Sequence, residues 1–203
     1  REAETNELIP QNSEIELLGQ PTQIANKFIA VPTNKGLIIL HQKRTHERIL
    51  FDEMLKRSLK EEIPSQRLLF PISIEFSIQD SFVLEEIMTD LTHLGFEINS
   101  LGKQTFALQG IPSDLELGNE KELIIELVES FKDNFKAKHS KKETLLISIC
   151  KISSIQRSQH LSQEEIEYLA SQIFQRENYQ TTPNGKSIFH IIPHSDLEKH
   201  FDE

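Results

Sequence analysis

The sequence contains one cysteine, Cys150, and no tryptophan among its 203 residues. A lone cysteine excludes an internal disulfide and any zinc site built from several cysteines, and it suits a reducing compartment such as the cytoplasm. Long apolar runs are also missing. The longest of them, Leu37–Leu40, Leu145–Cys150 and Ile188–Pro193, are far shorter than the roughly 20 residues that a membrane span needs. The sequence therefore predicts a domain with no membrane-spanning segment.

Basic residues are in deficit, with 22 Lys and Arg against 32 Asp and Glu and a formal net charge of −10. Phosphate binding requires clustered Lys and Arg, so this balance argues against a dedicated nucleic-acid platform. One basic stretch is an exception. It is either a solvated face beside a helix boundary or a weak, salt-sensitive DNA contact, and it consists of Lys132, Lys136, Lys138, Lys141, Lys142 and Lys151.

The first part of the chain combines a polar segment, two strands and a helix. Residues 1–16 are acidic and polar and are interpreted as the remnant of a linker. Two strand-like runs, Gln23–Val31 and Leu37–His41, predict a hairpin. Apolar residues at three- and four-residue spacing then predict a helix from about Thr45 to Glu61, which Pro64 ends.

The middle of the chain predicts a small β-α-β-β-α unit. Leu68–Phe76 is strand-like, and Ser77 is placed to cap a helix that Gly95 stops. A second hairpin turns at Gly102-Lys103, and another amphipathic helix closes the unit.

The last third returns to helix and then to a strand. Thr144–Gln156 is apolar almost all round and predicts a buried helix, in which Cys150 is a core residue. Ser162 and Glu165 form a capping box for the next helix. A strand at Ser187–Ile192 and a short helix capped by Ser195 complete the chain. The predicted fold is a mixed α/β (α+β) fold. Its two lobes comprise residues 17–62 with 140–203 and, inserted between them, residues 63–139.

A motif at the start of the first helix carries a resemblance to a known family. The segment Leu40–Asp52 resembles the D-Q-H-A-x-x-E-R-x-x-x-E segment of MutL-type DNA mismatch-repair proteins, in their C-terminal domain. The resemblance covers about residues 17–201. Further matches are Gly19–Gln23, Leu68–Pro71, Leu94–Ile98, Leu161–Ile166, Glu177-Asn178, Pro183–Lys186 and Leu197–Phe201.

The resemblance implies a function for each lobe. The dimerisation lobe would consist of residues 17–62 and 140–203. An external, regulatory lobe would consist of residues 63–139. The protein would be a homodimer. The family pairs this domain with a separate N-terminal ATPase, so ATP and Mg are expected there and no cofactor is expected in this domain. The implied setting is the bacterial cytoplasm, associated with the nucleoid, with other mismatch-repair proteins as partners and DNA contact that is weak at most.

In endonuclease-type relatives, three motifs of this domain supply the carboxylate, imidazole and thiolate donors that hold divalent metals. Most of the matching positions here hold residues that are poor ligands, since a lysine ammonium has no lone pair to offer. We therefore expect no metal and no catalytic residue. The vestigial metal-site positions are His41, Lys43, Glu47, Asp52, Lys151, Thr182 and Asn184.

Two other functions stay open at this point. One is a metal-dependent nicking endonuclease with atypical ligands, for which His41, His46, Glu47 and His190 are the available candidates. The other is an interaction domain of an unrelated complex with the same lobe architecture.

A second motif of the family is better preserved. Gln66-Arg67-Leu68-Leu69-Phe70-Pro71 fits the Q-x-L-[LI]-x-P pattern with which MutL proteins resemble other ligands of the bacterial replication sliding clamp. The clamp-binding residues would be Gln66, Leu68, Leu69 and Pro71, with the amide making hydrogen bonds and the leucines filling an apolar pocket. We expect Gln66 to be exposed just outside the first strand of the external lobe. The alternative is that Leu68 and Leu69 only begin a strand.

Overall fold

A computed structural model describes residues 15–116, 118–134, 140–156 and 158–201. In chain order its elements are β1 (Thr22–Ile24), β2 (Phe28–Thr33), β3 (Gly36–His41), α1 (Gln42–Ser58), β4 (Ser65–Glu75), α2 (Ile78–His93), β5 (Glu97–Ser100), β6 (Thr105–Pro112), α3 (Glu120–Asn134), α4 (Lys141–Ser153), α5 (Gln163–Ile173), β7 (Phe189–Ile192) and α6 (His194–Glu198). The fold is therefore of the α+β type, as predicted.

The chain divides into two compact units. The terminal unit lies within Arg1–Ile49 and Ile155–Glu203, and the central unit within Leu50–Ser154. These borders differ from the predicted ones at residues 62/63 and 139/140. The central unit takes in the second half of α1 and all of α4 because their apolar residues, such as Met54 and Leu146, belong to its core.

The terminal unit contains an antiparallel sheet of strand order β1-β2-β3-β7. The prediction of one strand over Gln23–Val31 is wrong, because the chain turns at Ala25 and Asn26, whose φ values are 51° and 50°. Two consecutive residues in the left-handed region form a tight hairpin turn, so the segment makes two paired strands. One face of this sheet packs on α5, with Ile29, Val31, Ile38, Leu40, Ile166, Leu169, Ala170 and Ile173 in the core.

The central unit contains an antiparallel sheet of order β4-β6-β5 and the helices α2, α3 and α4. The predicted local signals are confirmed here: Ser77 caps α2, and Gly95 has a φ of 91° just after it. Residues Thr144–Cys150 of α4 are all buried, so the predicted central helix is also confirmed.

The predicted helix ends are confirmed at α5 and are wrong at α1 and α6. Helix α1 begins at Gln42, not Thr45, and ends at Ser58, well before Pro64. The capping box of α5 at Ser162 and Glu165 is present. Ser195 is not the cap of α6, which starts after Pro193 without a side-chain cap. The helices of the part that the structure describes are all too short or too polar to span a membrane.

Candidate functional site

The terminal sheet has a second face that is apolar and half-exposed. In β2 and β3 buried residues alternate with partly exposed ones, and the strand register places the partly exposed residues side by side: Ala30 pairs with Ile39, and Leu37 with Ile192. We name this surface the outward face. Its apolar members are Ile24, Phe28, Ala30, Pro32, Leu37, Ile39 and Ile192.

The close approach of β7 to β3 depends on a glycine. Gly36 has a φ of 127°, and a Cβ there would lie 2.2 Å from the carbonyl oxygen of Ile192 and 2.8 Å from the Cα of Pro193. Both the conformation and the space therefore require glycine. This contact brings Ile192 onto the outward face.

A network of glutamine amides joins β1 to α1 and to the segment before α5. The Gln23 amide nitrogen donates to Gln42 Oε1 at 2.7 Å and to the Gln159 carbonyl at 2.8 Å, and Gln42 Nε2 donates to the same carbonyl at 3.0 Å. Gln23 Oε1 accepts from the backbone N–H of Leu161 at 3.3 Å. The sequence analysis did not predict this network, although Gln42 belongs to the motif that carries the family resemblance.

Three of the predicted metal-site positions lie where β3 runs into α1. His41 ends β3, and its ring meets that of Phe28 edge-on at 5.7 Å. Lys43 is half-buried in the first turn of α1, and Glu47 is buried one turn later. Of these three, only Glu47 offers a carboxylate.

Two more positions, Thr182 and Asn184, lie in a turn that leads into β7. Thr182 is buried, and its hydroxyl accepts a hydrogen bond from the backbone N–H of Lys186 at 3.1 Å. Asn184 is exposed, and Gly185 follows it with a φ of 76°. At this position the threonine hydroxyl therefore stabilises the turn itself.

The remaining two positions belong to the central unit. Asp52 is half-buried on α1, and Lys151 is exposed in the last turn of α4. Cys150 is fully buried, with its Sγ 3.8 Å from Met54 Sδ, as expected of a core residue.

The histidine-based alternative receives no geometric support in the part of the chain that the structure describes. There, no group of three or more His, Cys, Asp or Glu side chains is arranged so that it could hold a metal ion. His46 Nδ1 accepts a hydrogen bond from the backbone N–H of Ile155 at 3.0 Å, which occupies that nitrogen. His190 is exposed on β7.

The predicted clamp-binding residues lie in the first half of β4. The expectation that Gln66 is exposed outside the strand is wrong. Strand β4 begins at Ser65, because Ser65–Arg67 pair with Gly110–Pro112 of β6. The half-buried Gln66 amide donates to the carbonyls of Pro112, at 3.3 Å, and Leu115, at 2.5 Å.

The other residues of this motif divide between the core and the surface. Leu68 is half-buried against the central core. Leu69 is 87% exposed and Phe70 75% exposed, and Pro71 is exposed as well. The exposure of Phe70, which the motif leaves unspecified, could not be read from the sequence pattern.

Three lysines of the basic stretch contact neighbouring helices. Lys132 donates to Asp80 at 2.5 Å, Lys141 pairs with Glu86 at 3.0 Å, and Lys142 donates to the Ser58 carbonyl at 2.8 Å. Lys136 and Lys138 lie outside the described residues. These contacts favour a structural role for the three lysines.

The α+β fold and the motif at the β3–α1 junction agree with the dimerisation module that the resemblance implies. Residues 21–161 match the family model described as the MutL C-terminal dimerisation domain, and the chain belongs to this family.

Individual relatives carry the family name. The chain is 33% identical over 194 residues to the DNA mismatch repair protein MutL of Phocaeicola vulgatus. The aligned segment covers 95% of this chain and 31% of that protein. Two further relatives with the same name each cover 88% of this chain. The chain is 31% identical over 180 residues to the protein of Parabacteroides distasonis and 33% identical over 181 residues to that of Chloroherpeton thalassium. They cover 29% and 28% of those proteins, so the chain spans less than a third of the length of these relatives.

Proposed function

We propose that this chain is the homodimerisation and partner-docking domain of a bacterial DNA mismatch-repair protein. It would hold two ATPase arms together in the cytoplasm, present a peptide to the replication sliding clamp, and leave the cutting of DNA to another protein. ATP and Mg would bind only to the ATPase arms, and finding a GHKL-type ATPase encoded directly upstream tests that part. The observation that carries the proposal is the apolar outward face of the terminal sheet.

The outward face fits a second copy of the chain. Seven apolar residues share this face on β1, β2, β3 and β7, together with the polar Thr22, His41 and His190, whereas monomeric proteins seldom expose large apolar patches. A two-fold axis over such a surface lets the same patch serve both partners. Membership of a dimerisation-domain family supports this occupant.

Light scattering coupled to gel filtration tests the dimer directly. The chain should elute at micromolar concentration with about twice its mass of 23.5 kDa. Ile39→Glu places a charge at the centre of the outward face and should give monomers. Ile78→Glu on α2, where the isoleucine is 64% exposed, is the matched control and should stay dimeric. A monomeric wild-type chain would contradict the proposal.

The residues at the metal-site positions support a domain that does not cut DNA. Lys43 and Lys151 bring positive charge to donor positions, and the Thr182 hydroxyl is engaged by the Lys186 backbone. The purified chain should carry no stoichiometric zinc, and the whole protein should not nick supercoiled plasmid with manganese. Reproducible nicking that Glu47→Ala abolishes would favour the atypical endonuclease instead.

Docking to the sliding clamp is supported by the Gln66–Pro71 motif and by the exposure of its apolar part. Leu69 and Phe70 are adjacent and largely exposed on β4. A contact of six residues buries far less than the roughly 1,200 Å² of a stable interface, so the affinity should be weak. Surface plasmon resonance with immobilised clamp, at concentrations of the chain up to the high-micromolar range, should show saturable binding.

Contacts with other mismatch-repair proteins and with DNA follow from the same assignment. Three lysines of the basic stretch are engaged in intramolecular contacts, so DNA binding by this domain should be weak and lost with rising salt.

A further inference from the structure

We infer that Asn184 is a site of spontaneous deamidation, and that the hydroxyl of Thr182 sets the rate of this reaction by holding the surrounding turn closed. The inference concerns the loop that leads into β7 and does not depend on the function proposed above. It assigns a covalent change, from a neutral amide to a carboxylate, to a residue whose only other feature is its place among the vestigial metal-site positions.

Deamidation begins when the backbone nitrogen that follows an asparagine attacks the asparagine side chain. The nitrogen of Gly185 loses its proton to hydroxide and bonds to the Cγ of Asn184, and the amide group takes a proton from water and leaves as ammonia. Water then opens the resulting cyclic imide at one of its two carbonyls, which leaves aspartate or isoaspartate. Glycine favours the attack because it has no Cβ to obstruct the nitrogen.

Asn184 and the peptide bond that follows it are accessible to solvent. Asn184 is exposed, and its side-chain amide makes no hydrogen bond with another of the described residues. A Cβ added to Gly185 would meet nothing within 4 Å, so the space beside the attacking nitrogen is open. Hydroxide and water can therefore reach both reacting groups.

The turn nevertheless restrains the attacking nitrogen. The Gly185 N–H donates to the Thr182 carbonyl at 2.8 Å, and Gly185 has a φ of 76°. A glycine of positive φ at the end of a three-residue loop is typical of a tight hairpin, and this one spans Pro183–Gly185. Because a proton in a hydrogen bond is removed only after the bond opens, the reaction must proceed through the open turn.

Thr182 holds this turn closed from both sides. Its N–H donates to the Lys186 carbonyl at 2.8 Å, and its hydroxyl accepts from the Lys186 N–H at 3.1 Å. Valine keeps the branched shape of threonine but has no hydroxyl, so Thr182→Val leaves the Lys186 N–H without this acceptor. The loss of one hydrogen bond from the closed form should raise the population of the open turn, and the rate of deamidation with it, about fivefold.

The test incubates the whole chain at mildly alkaline pH and measures deamidation at each asparagine by peptide mapping with mass spectrometry. Asn99 and Asn178 are internal controls, because both are exposed and the next residue of each has a side chain. In the wild type, Asn184 should react faster than either control. In Thr182→Val, the rate at Asn184 should rise about fivefold while the rates at the two controls stay unchanged.

A matched variant and a denaturant separate the role of the hydroxyl from a general loss of stability. Thr181→Val changes the adjacent, exposed threonine in the same way and should deamidate at the wild-type rate. In urea that unfolds the chain, wild type and Thr182→Val should react equally fast, and faster than the folded wild type, because no closed turn remains.

Three results would overturn the inference. If Asn184 of the wild type reacts no faster than Asn99 and Asn178, it is not a deamidation site. Equal rates at Asn184 in folded wild type and folded Thr182→Val, or equal accelerations by Thr182→Val and Thr181→Val, would show that the hydroxyl does not set the rate. Should Thr182→Val fail to fold, the wild type alone decides, since equal rates in buffer and in urea would show that the turn restrains nothing.

Discussion

Each of the two sheets of this chain buries one face in a core. The two sheets differ in the polarity of the opposite face. In the terminal sheet, the face away from the core is mostly apolar across four strands, with Ile39 at its centre and with Thr22, His41 and His190 as its polar members. In the central sheet, the corresponding face is polar, with Ser73, Glu75, Asn99 and Thr105 around Ala107. Solvent accounts for the polar face, whereas the apolar one calls for a protein partner.

The polar groups that hold each unit together also differ. The terminal unit contains a cluster of neutral amides, in which Gln23 and Gln42 converge on the Gln159 carbonyl. The central unit joins its helices with the ion pairs Lys132–Asp80 and Lys141–Glu86. Amides do not titrate, so the amide cluster should not respond to pH, whereas the ion pairs of the central unit should.

The largest expected effect comes from the sheet that carries the outward face. Gly36→Ala places a Cβ against the backbone of Ile192 and Pro193 at a φ of 127°, so β7 must move away from β3. The free energy of unfolding should fall by roughly 4–5 kcal/mol, the range of exceptional single changes. Denaturant melts followed by circular dichroism measure it. Gly102→Ala in the turn between β5 and β6, where a Cβ meets nothing within 4 Å, should be close to neutral.

Two neighbouring isoleucines separate packing from association. Ile38 is fully buried on the core face, so Ile38→Ala should cost about 3 kcal/mol at every protein concentration. Ile39→Ala should instead lower the melting temperature only at concentrations where the wild type is dimeric, because dilution removes the contribution of the interface. A concentration series of thermal melts distinguishes the two. An equal cost of Ile39→Ala at all dilutions would show that the outward face is not an interface.

Local chemistry explains how much of the fold could be predicted from the sequence. Ser77, Gly95 and the Ser162–Glu165 pair act within a turn or two of their own position, and each was predicted correctly. The turn at Ala25 and Asn26 was missed because it contains no glycine or proline to mark it. The start of β4 was missed because it depends on pairing with β6, more than forty residues later.

The site could be predicted only as a set of positions. Matching the motifs residue by residue identified Lys43, Thr182 and Asn184 at donor positions. It could not give the direction of the Gln66 side chain, which is set by the carbonyls of Pro112 and Leu115. Side-chain direction in a bulged strand depends on tertiary partners, and a pattern of letters does not contain them.

The amide network gives a smaller effect in the terminal unit. Gln23→Ala removes the donor to Gln42 and Gln159 and the acceptor of the Leu161 N–H, so it should cost about 2 kcal/mol. The cost should be the same at neutral and mildly acidic pH, because no titrating group is lost. Gln79→Ala, on an exposed position of α2, is the control and should have no measurable effect. A cost for Gln23→Ala that varies with pH would argue against a purely amide network.

Ion pairs should make the central unit sensitive to acid. The hydrogen bond from Lys132, and a second one from Ser77, hold the pKa of Asp80 below its ordinary value of 3.8. A lowered pKa in the folded state means that ionised Asp80 stabilises the fold above pH 3.8, and that this contribution is lost as the pH falls through the lowered pKa. Burial acts in the opposite direction on Asp114 and raises its pKa, despite the Arg57 guanidinium nearby.

The smallest predicted effect is therefore a pair of opposite pH slopes within the central unit. Asp80→Asn should reduce the free energy of unfolding by roughly half a kcal/mol at neutral pH, since solvent screens the partly exposed pair, and the loss should vanish below the lowered pKa. The raised pKa of Asp114 means that wild-type stability declines as the pH rises through it. The free energy of unfolding of Asp114→Asn, relative to that of the wild type, should therefore increase as the pH rises. Urea unfolding across the acidic range measures both. Parallel slopes for the two variants would show that these carboxylates do not set the acid response.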